Sequence, residues 1–142
     1  MSMVKIDTID NKRNEKSNLV LIFIYRIPKK NHESLIQLNN RVIDSFKKYG
    51  VQRFEVFQLE STEDMMEFTN IARTIEVNKE DEEEVWLEIQ SYRDRKHLQE
   101  VGARMMADDS MKKESQQFLN LITPGCRCSF GEFSRIKDIG FV

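Results

Sequence analysis

Seven consecutive residues, Leu19-Val20-Leu21-Ile22-Phe23-Ile24-Tyr25, limit what this chain can fold into more than any other stretch. A helix that spans a bilayer needs about 20 apolar residues, so the run is no membrane segment. It is β-branched and aromatic, and Pro28 follows soon after it, which fits a strand better than a helix. Because every position is apolar, the strand needs cover on both faces, and the rest of the chain must supply it or a second molecule must.

After Pro28, Asn31 is placed to cap a helix, and Leu35, Leu38, Val42, Phe46 and Tyr49 recur at steps of 3, 4, 4 and 3 up to Gly50. That spacing predicts an amphipathic helix of about five turns that Gly50 ends in the left-handed conformation. Val51 to Glu60 alternates as a second, half-polar strand near a sheet edge. Ser61 to Glu84 is weakly patterned and reads as an excursion, with one helical turn at Met65, Met66 and Phe68 and a solvated acidic loop at Glu80 to Glu84.

Val85 to Tyr92 is the third strand, with Val85, Leu87 and Ile89 expected toward the helices and Trp86, Glu88, Gln90 and Tyr92 on the opposite face. Asp94 caps the next helix, carrying Leu98, Val101 and Met105; Asp108 and Asp109 break it before a shorter helix with Met111, Phe118, Leu119 and Ile122. Pro124-Gly125 turns the chain into a fourth strand, Cys126 to Phe133.

The order strand, helix, strand, strand, helix, strand is that of an α+β, ferredoxin-like βαββαβ fold with an antiparallel four-stranded sheet. Its helices lie on one side, so the other apolar face of the first strand needs a lid. A second copy is the economical one, since large exposed apolar patches are uncommon on monomers, and a homodimer with facing sheets is expected.

At 142 residues the chain is expected to form one core over 18–142, with 1–17 as a flexible tail that lacks the apolar centre of a signal peptide. With 22 Lys and Arg against 24 Asp and Glu, the formal charge is −2 and no basic stripe suits nucleic acid. The two cysteines, Cys126 and Cys128, cannot staple distant segments, so a reduced, cytoplasmic protein is expected in which they serve as small buried hydrophobes.

Three segments, Tyr92-Arg93-Asp94-Arg95, Met106-Ala107-Asp108-Asp109-Ser110-Met111 and Phe130-Gly131-Glu132-Phe133, resemble the YbaA-like family of uncharacterised proteins, in the dimeric α+β barrel superfamily. The resemblance runs from about Leu19 to Ile136; Asp109 stands where that family usually has Pro, and the acidic run is atypical of it. It implies the same fold and a dimer, and no catalytic residues, since the family has no established activity. The wider superfamily includes haem-dependent enzymes, cofactor-free monooxygenases, small isomerases and proteins that only bind or assemble.

A small-molecule pocket is expected between the sheet and its cover, lined by Tyr25, Trp86, Glu88, Gln90 and Tyr92, because aromatic walls with a few polar groups suit such a ligand. Enclosure of Glu88 there raises its pKa and makes it an acid–base candidate, beside Tyr92 and His97; the plainer alternative pairs Glu88 with Arg53 or Arg127 across a dimer contact. His32 and His97 each fall in the first turn of a helix, at the surface, and His32 has only Glu33 beside it. Arg93, Arg95 and Lys96 form a basic cluster that could hold an anion. No metal set, phosphate loop or nucleophile elbow is present, and no cofactor is expected. The expectation is thus a homodimer that binds a small, partly apolar molecule. A cofactor-free, monooxygenase- or isomerase-like enzyme and a structural or regulatory interaction protein without a pocket are the alternatives.

Overall fold

The computed structural model describes residues 17–77, 82–125 and 128–141. The expected N-terminal tail up to residue 16, the first half of the acidic run, Cys126 and Arg127 lie outside the described residues. Strand β1 (Leu19–Pro28) leads through a short 3-10 turn (Lys29–Asn31) into helix α1 (His32–Tyr49). Then come β2 (Arg53–Gln58), the short helix α2 (Ile71–Thr74), β3 (Glu83–Tyr92), α3 (Arg95–Met106), α4 (Asp109–Leu121) and β4 (Ser129–Ser134). The four strands form one antiparallel sheet in the order β2-β3-β1-β4, the ferredoxin-like α+β arrangement. Among the described residues no helix is long and apolar enough to cross a membrane.

Local chemistry explains most boundaries. Gly50 adopts φ +103° and closes α1 by donating its N–H to the Phe46 and Lys47 carbonyls, a geometry costly for any residue with a Cβ. Asp94 and Asp108 cap α3 and α4 through their side chains. Asn31 differs from expectation: its amide donates to the Leu121 carbonyl at 2.8 Å, so it ties α1 to the end of α4 and makes no cap bond. Met65 and Phe68 pair as an isolated bridge, with Met66 at φ 52°, where a helical turn was expected. Glu83 and Glu84 belong to β3 and not to a solvated loop; Glu83 meets Arg26 and Thr123, and Glu84 meets His32.

Register corrects the assignment of the sheet faces. Residues directly opposite in an antiparallel ladder share a face. Leu21 pairs with Gln90, Phe23 with Glu88, and Tyr25 with Trp86. Tyr25, Ile27 and Trp86 pack with Leu35, Leu38 and Val42 of α1 into the main core. Trp86, Glu88, Gln90 and Tyr92 therefore lie under the helices. The outer face is formed by Val20, Ile22, Ile24, Leu87 and Ile89, all half-buried, flanked by Phe57 and Phe133, which are 50% and 53% exposed.

Candidate active site between sheet and helices

The cleft is a product of where α4 places its apolar groups. Met111 and Phe118 point at the sheet, but the intervening positions of the same stripe are Glu114 and Ser115, so the helix cannot close on the strands there. The space left, about 530 Å³, lies between the sheet and α1, α3 and α4. That is a volume suited to a small organic molecule. Phe23, Phe46, Phe54, Met105, Met111 and Phe118 supply apolar walls, and Glu88 and Gln90 face it from β3. Phe46 and Phe54 meet edge to face with centroids 5.0 Å apart, and Phe118 meets Tyr25 in the same way at 5.0 Å, so aromatic contacts stiffen two sides.

The polar groups under the helices form a chain along β3. Alternate residues of a strand share a face, which brings Tyr92, Gln90 and Glu88 into line. The Tyr92 hydroxyl donates to Gln90 Oε1 at 2.7 Å, and Gln90 Nε2 donates to Glu88 Oε2 at 2.7 Å. Glu88 is 9% exposed, and burial raises its pKa against the opposing effect of hydrogen bonds to the carboxylate. Tyr25 stands close enough for the two groups to shift one another, although its buried hydroxyl makes no hydrogen bond of ordinary geometry among the described residues. Burial first, and then the Glu88 charge, pushes Tyr92 up to about 12 and raises Tyr25 further, so both phenols are neutral at physiological pH.

The remaining candidates separate from this site. His97 is buried, not at the surface: its Nδ1 accepts the Arg93 N–H at 3.0 Å, its ring packs edge-on to Tyr92 at 5.8 Å, and its Nε2 lies against Gly50. It does not converge with Glu88 on the cleft. Trp86 is core, its indole N–H donating to Glu84 at 3.0 Å. His32 pairs with the same Glu84 oxygen at 2.7 Å and not with Glu33. Arg95 pairs with Glu132 of β4 at 2.6 Å, Arg93 lies 3.8 Å from Asp94, and Asp94 takes the His97 N–H, so the basic cluster carries its own counter-charges. Arg53 is on the outer face and cannot be the partner of Glu88. Cys128 is exposed and disulfide-bonded, not a small buried hydrophobe, and β4 begins after it. Among the described residues no group of three or more His, Cys, Asp and Glu is placed to hold a metal ion.

Sequence reasoning missed the walls of the cleft. Met105, Met111, Phe46 and Phe118 read only as apolar positions of their helices. The available signal was Glu114 and Ser115, a polar pair three and four residues after Met111 where the apolar stripe should continue. Glu114 Oε2 is buried with no hydrogen-bond partner among the described residues.

Residues 18–120 match a family described as "Protein of unknown function (DUF1428)". No curated protein matches the chain. Solved structures share the fold at low identity. A dimeric ferredoxin-like protein from an uncultured marine organism is 7% identical with a TM-score of 0.58, covering 93% of this chain and 99% of that one. A mutant of SnoaB, a cofactor-independent oxygenase from Streptomyces nogalater, is 11% identical with a TM-score of 0.50, covering 87% and 98%. An antibiotic biosynthesis monooxygenase is 11% identical with a TM-score of 0.50, covering 84% and 99%.

Proposed function

The chain belongs to the DUF1428 family of proteins of unknown function, and from that premise we propose that it binds a small, partly apolar molecule in the cleft between sheet and helices and exchanges a proton with it through Glu88. The observation that carries this reading is the buried carboxyl of Glu88 on the floor of a cleft walled by phenylalanine and methionine. An apolar body fits the walls, and an ionisable O–H or an activated C–H on that body can reach the carboxylate. In the transfer the ligand's bond to hydrogen breaks, an O–H bond forms on Glu88, and the negative charge passes to the ligand. A base with a raised pKa is better matched to such a proton than an ordinary glutamate.

Proton exchange of this kind requires no cofactor. The same fold serves an oxygenase described as cofactor-independent and an antibiotic biosynthesis monooxygenase, which supports, by analogy of fold, a cofactor-free enzyme as the catalytic version of this reading. The assembly in this reading is a homodimer, as the YbaA-like resemblance implies and as one similar structure is described. The outer sheet face is the contact, because Val20, Ile22, Ile24, Leu87 and Ile89 there are only partly covered within the chain, with Phe57 and Phe133 exposed beside them.

Absorption spectroscopy with a panel of naphthols, titrated into the protein below their own pKa values, tests the proposal, because transfer of the proton to Glu88 leaves the bound ligand with the spectrum of the naphtholate. A naphtholate spectrum on binding to the native protein, and a naphthol spectrum on binding to Glu88→Gln, is the expected result. Absence of binding across the panel, or the same bound-ligand spectrum with both proteins, would overturn it.

A further inference from the structure

Tyr92 touches neither the cleft nor Glu88, yet it is tied to both through one amide. Gln90 presents its carbonyl oxygen to the Tyr92 hydroxyl and its NH2 to Glu88 Oε2, each at 2.7 Å. A primary amide can be turned over, exchanging donor for acceptor. With the NH2 toward Glu88 it stabilises the carboxylate. With the carbonyl toward Glu88 it would accept from the protonated acid. The Tyr92 hydroxyl biases the choice, because turning the amide over would take away the acceptor of its buried O–H, which Gln90 Oε1 now supplies. Tyr92 is only 2% exposed, so water does not replace it readily.

We infer that Tyr92 is a positioning residue that holds the Gln90 amide in the orientation that supports the Glu88 carboxylate. Gln90 donates to Oε2, and Tyr25 stands beside the same carboxyl from β1. This rests on the acid–base reading of the cleft and adds a residue that acts without contacting ligand. The other titratable groups toward Glu88 are Tyr25 from β1 and Lys112 and Glu114 from α4; α1, α3 and β2 bring only neutral groups to the cleft. None of these touches Gln90 by a hydrogen bond that the structure shows, so the chain can be tested separately from them.

The test follows the Glu88 side-chain carboxyl by carbon-13 NMR across pH in four proteins: native, Tyr92→Phe, Gln90→Leu and the double variant. Tyr92→Phe is expected to move the Glu88 midpoint upward although it removes no atom in contact with Glu88. Gln90→Leu also moves it upward, and Tyr92→Phe adds nothing in the Gln90→Leu background. A structural role alone would lower the melting temperature and leave the midpoint in place. An unmoved midpoint in Tyr92→Phe, or an equal shift with and without Gln90, overturns the inference. The native protein gives a readout independent of folding in the variants: the Gln90 side-chain nitrogen should titrate with the Glu88 midpoint, and its silence would also overturn the inference. A native Glu88 midpoint in the ordinary carboxylate range is a different failure, since it removes the acid–base reading itself.

Discussion

Taking a carboxyl group out of water disfavours its charged form, and Glu88 is held so that this penalty is reduced but not removed. Gln90 donates to it directly, Tyr25 stands near, and burial still raises its pKa. The sign for stability follows. Between the unfolded and folded pKa values the native state binds the extra proton, so the Glu88 contribution is fully present below the unfolded value and is lost as pH rises through the folded one. Glu88→Gln cannot ionise and keeps an oxygen that can accept from Gln90. Its melting temperature relative to the native protein should therefore rise from pH 4 to pH 8 in thermal melts. A relative melting temperature that falls over that interval contradicts the assignment.

The elements show how much could be read from residues and where that reading stopped. Gly50, Asp94 and Asp108 signal their helix ends through requirements of the backbone itself, φ > 0 at one and unpaired N–H groups at the others, which no tertiary contact has to decide. Removing the Asp94 side chain should accordingly cost about 1 kcal/mol, the usual loss for a helix N-cap, measured by urea denaturation of Asp94→Ala. The faces of β3 were not legible in the same way. Val85, Leu87 and Ile89 oppose Trp86, Glu88, Gln90 and Tyr92, and the first set reads as the more apolar although the second carries the larger rings. What decides is the pairing with β1: Tyr25 and Trp86, fixed opposite each other, fill the space under α1 as no aliphatic pair would. Period 2 fixes which residues share a face and leaves open which face meets the helices. The expected group of Tyr25, Trp86, Glu88, Gln90 and Tyr92 thus shares one sheet face, turned toward the helices and not away from them, and of the five only Glu88 and Gln90 line the cleft. His97 escaped notice as a buried residue because its surroundings, the turn at Gly50 and the Arg93 N–H, come from different parts of the chain.

For the molecule as a whole, the correction of faces divides two tasks that the sequence had placed on one surface. The helix side holds the cleft, and the proposed association falls to the outer side of the sheet. Ile24, paired with Leu87 on that outer face, is half-buried within one chain and sits among apolar neighbours. The proposed homodimer buries this patch. Ile24→Asp should therefore sediment as a monomer where the native protein sediments as a dimer, while a native monomer or a dimeric variant would contradict the arrangement. A dimer formed through the outer face leaves each cleft beneath its own helices, so the site does not depend on the contact.

Seven methionines give a direct probe of the central claim, that this cleft receives a small, partly apolar molecule. Met105 and Met111 line the cleft, whereas Met65 and Met66 lie exposed on the excursion between β2 and β3. With the methionine methyl groups labelled with carbon-13, a naphthol titrated into the native protein is predicted to shift the Met105 and Met111 resonances saturably and to leave Met65 and Met66 in place. Resonances that stay fixed at Met105 and Met111, or that move only at Met65 and Met66, would contradict the site.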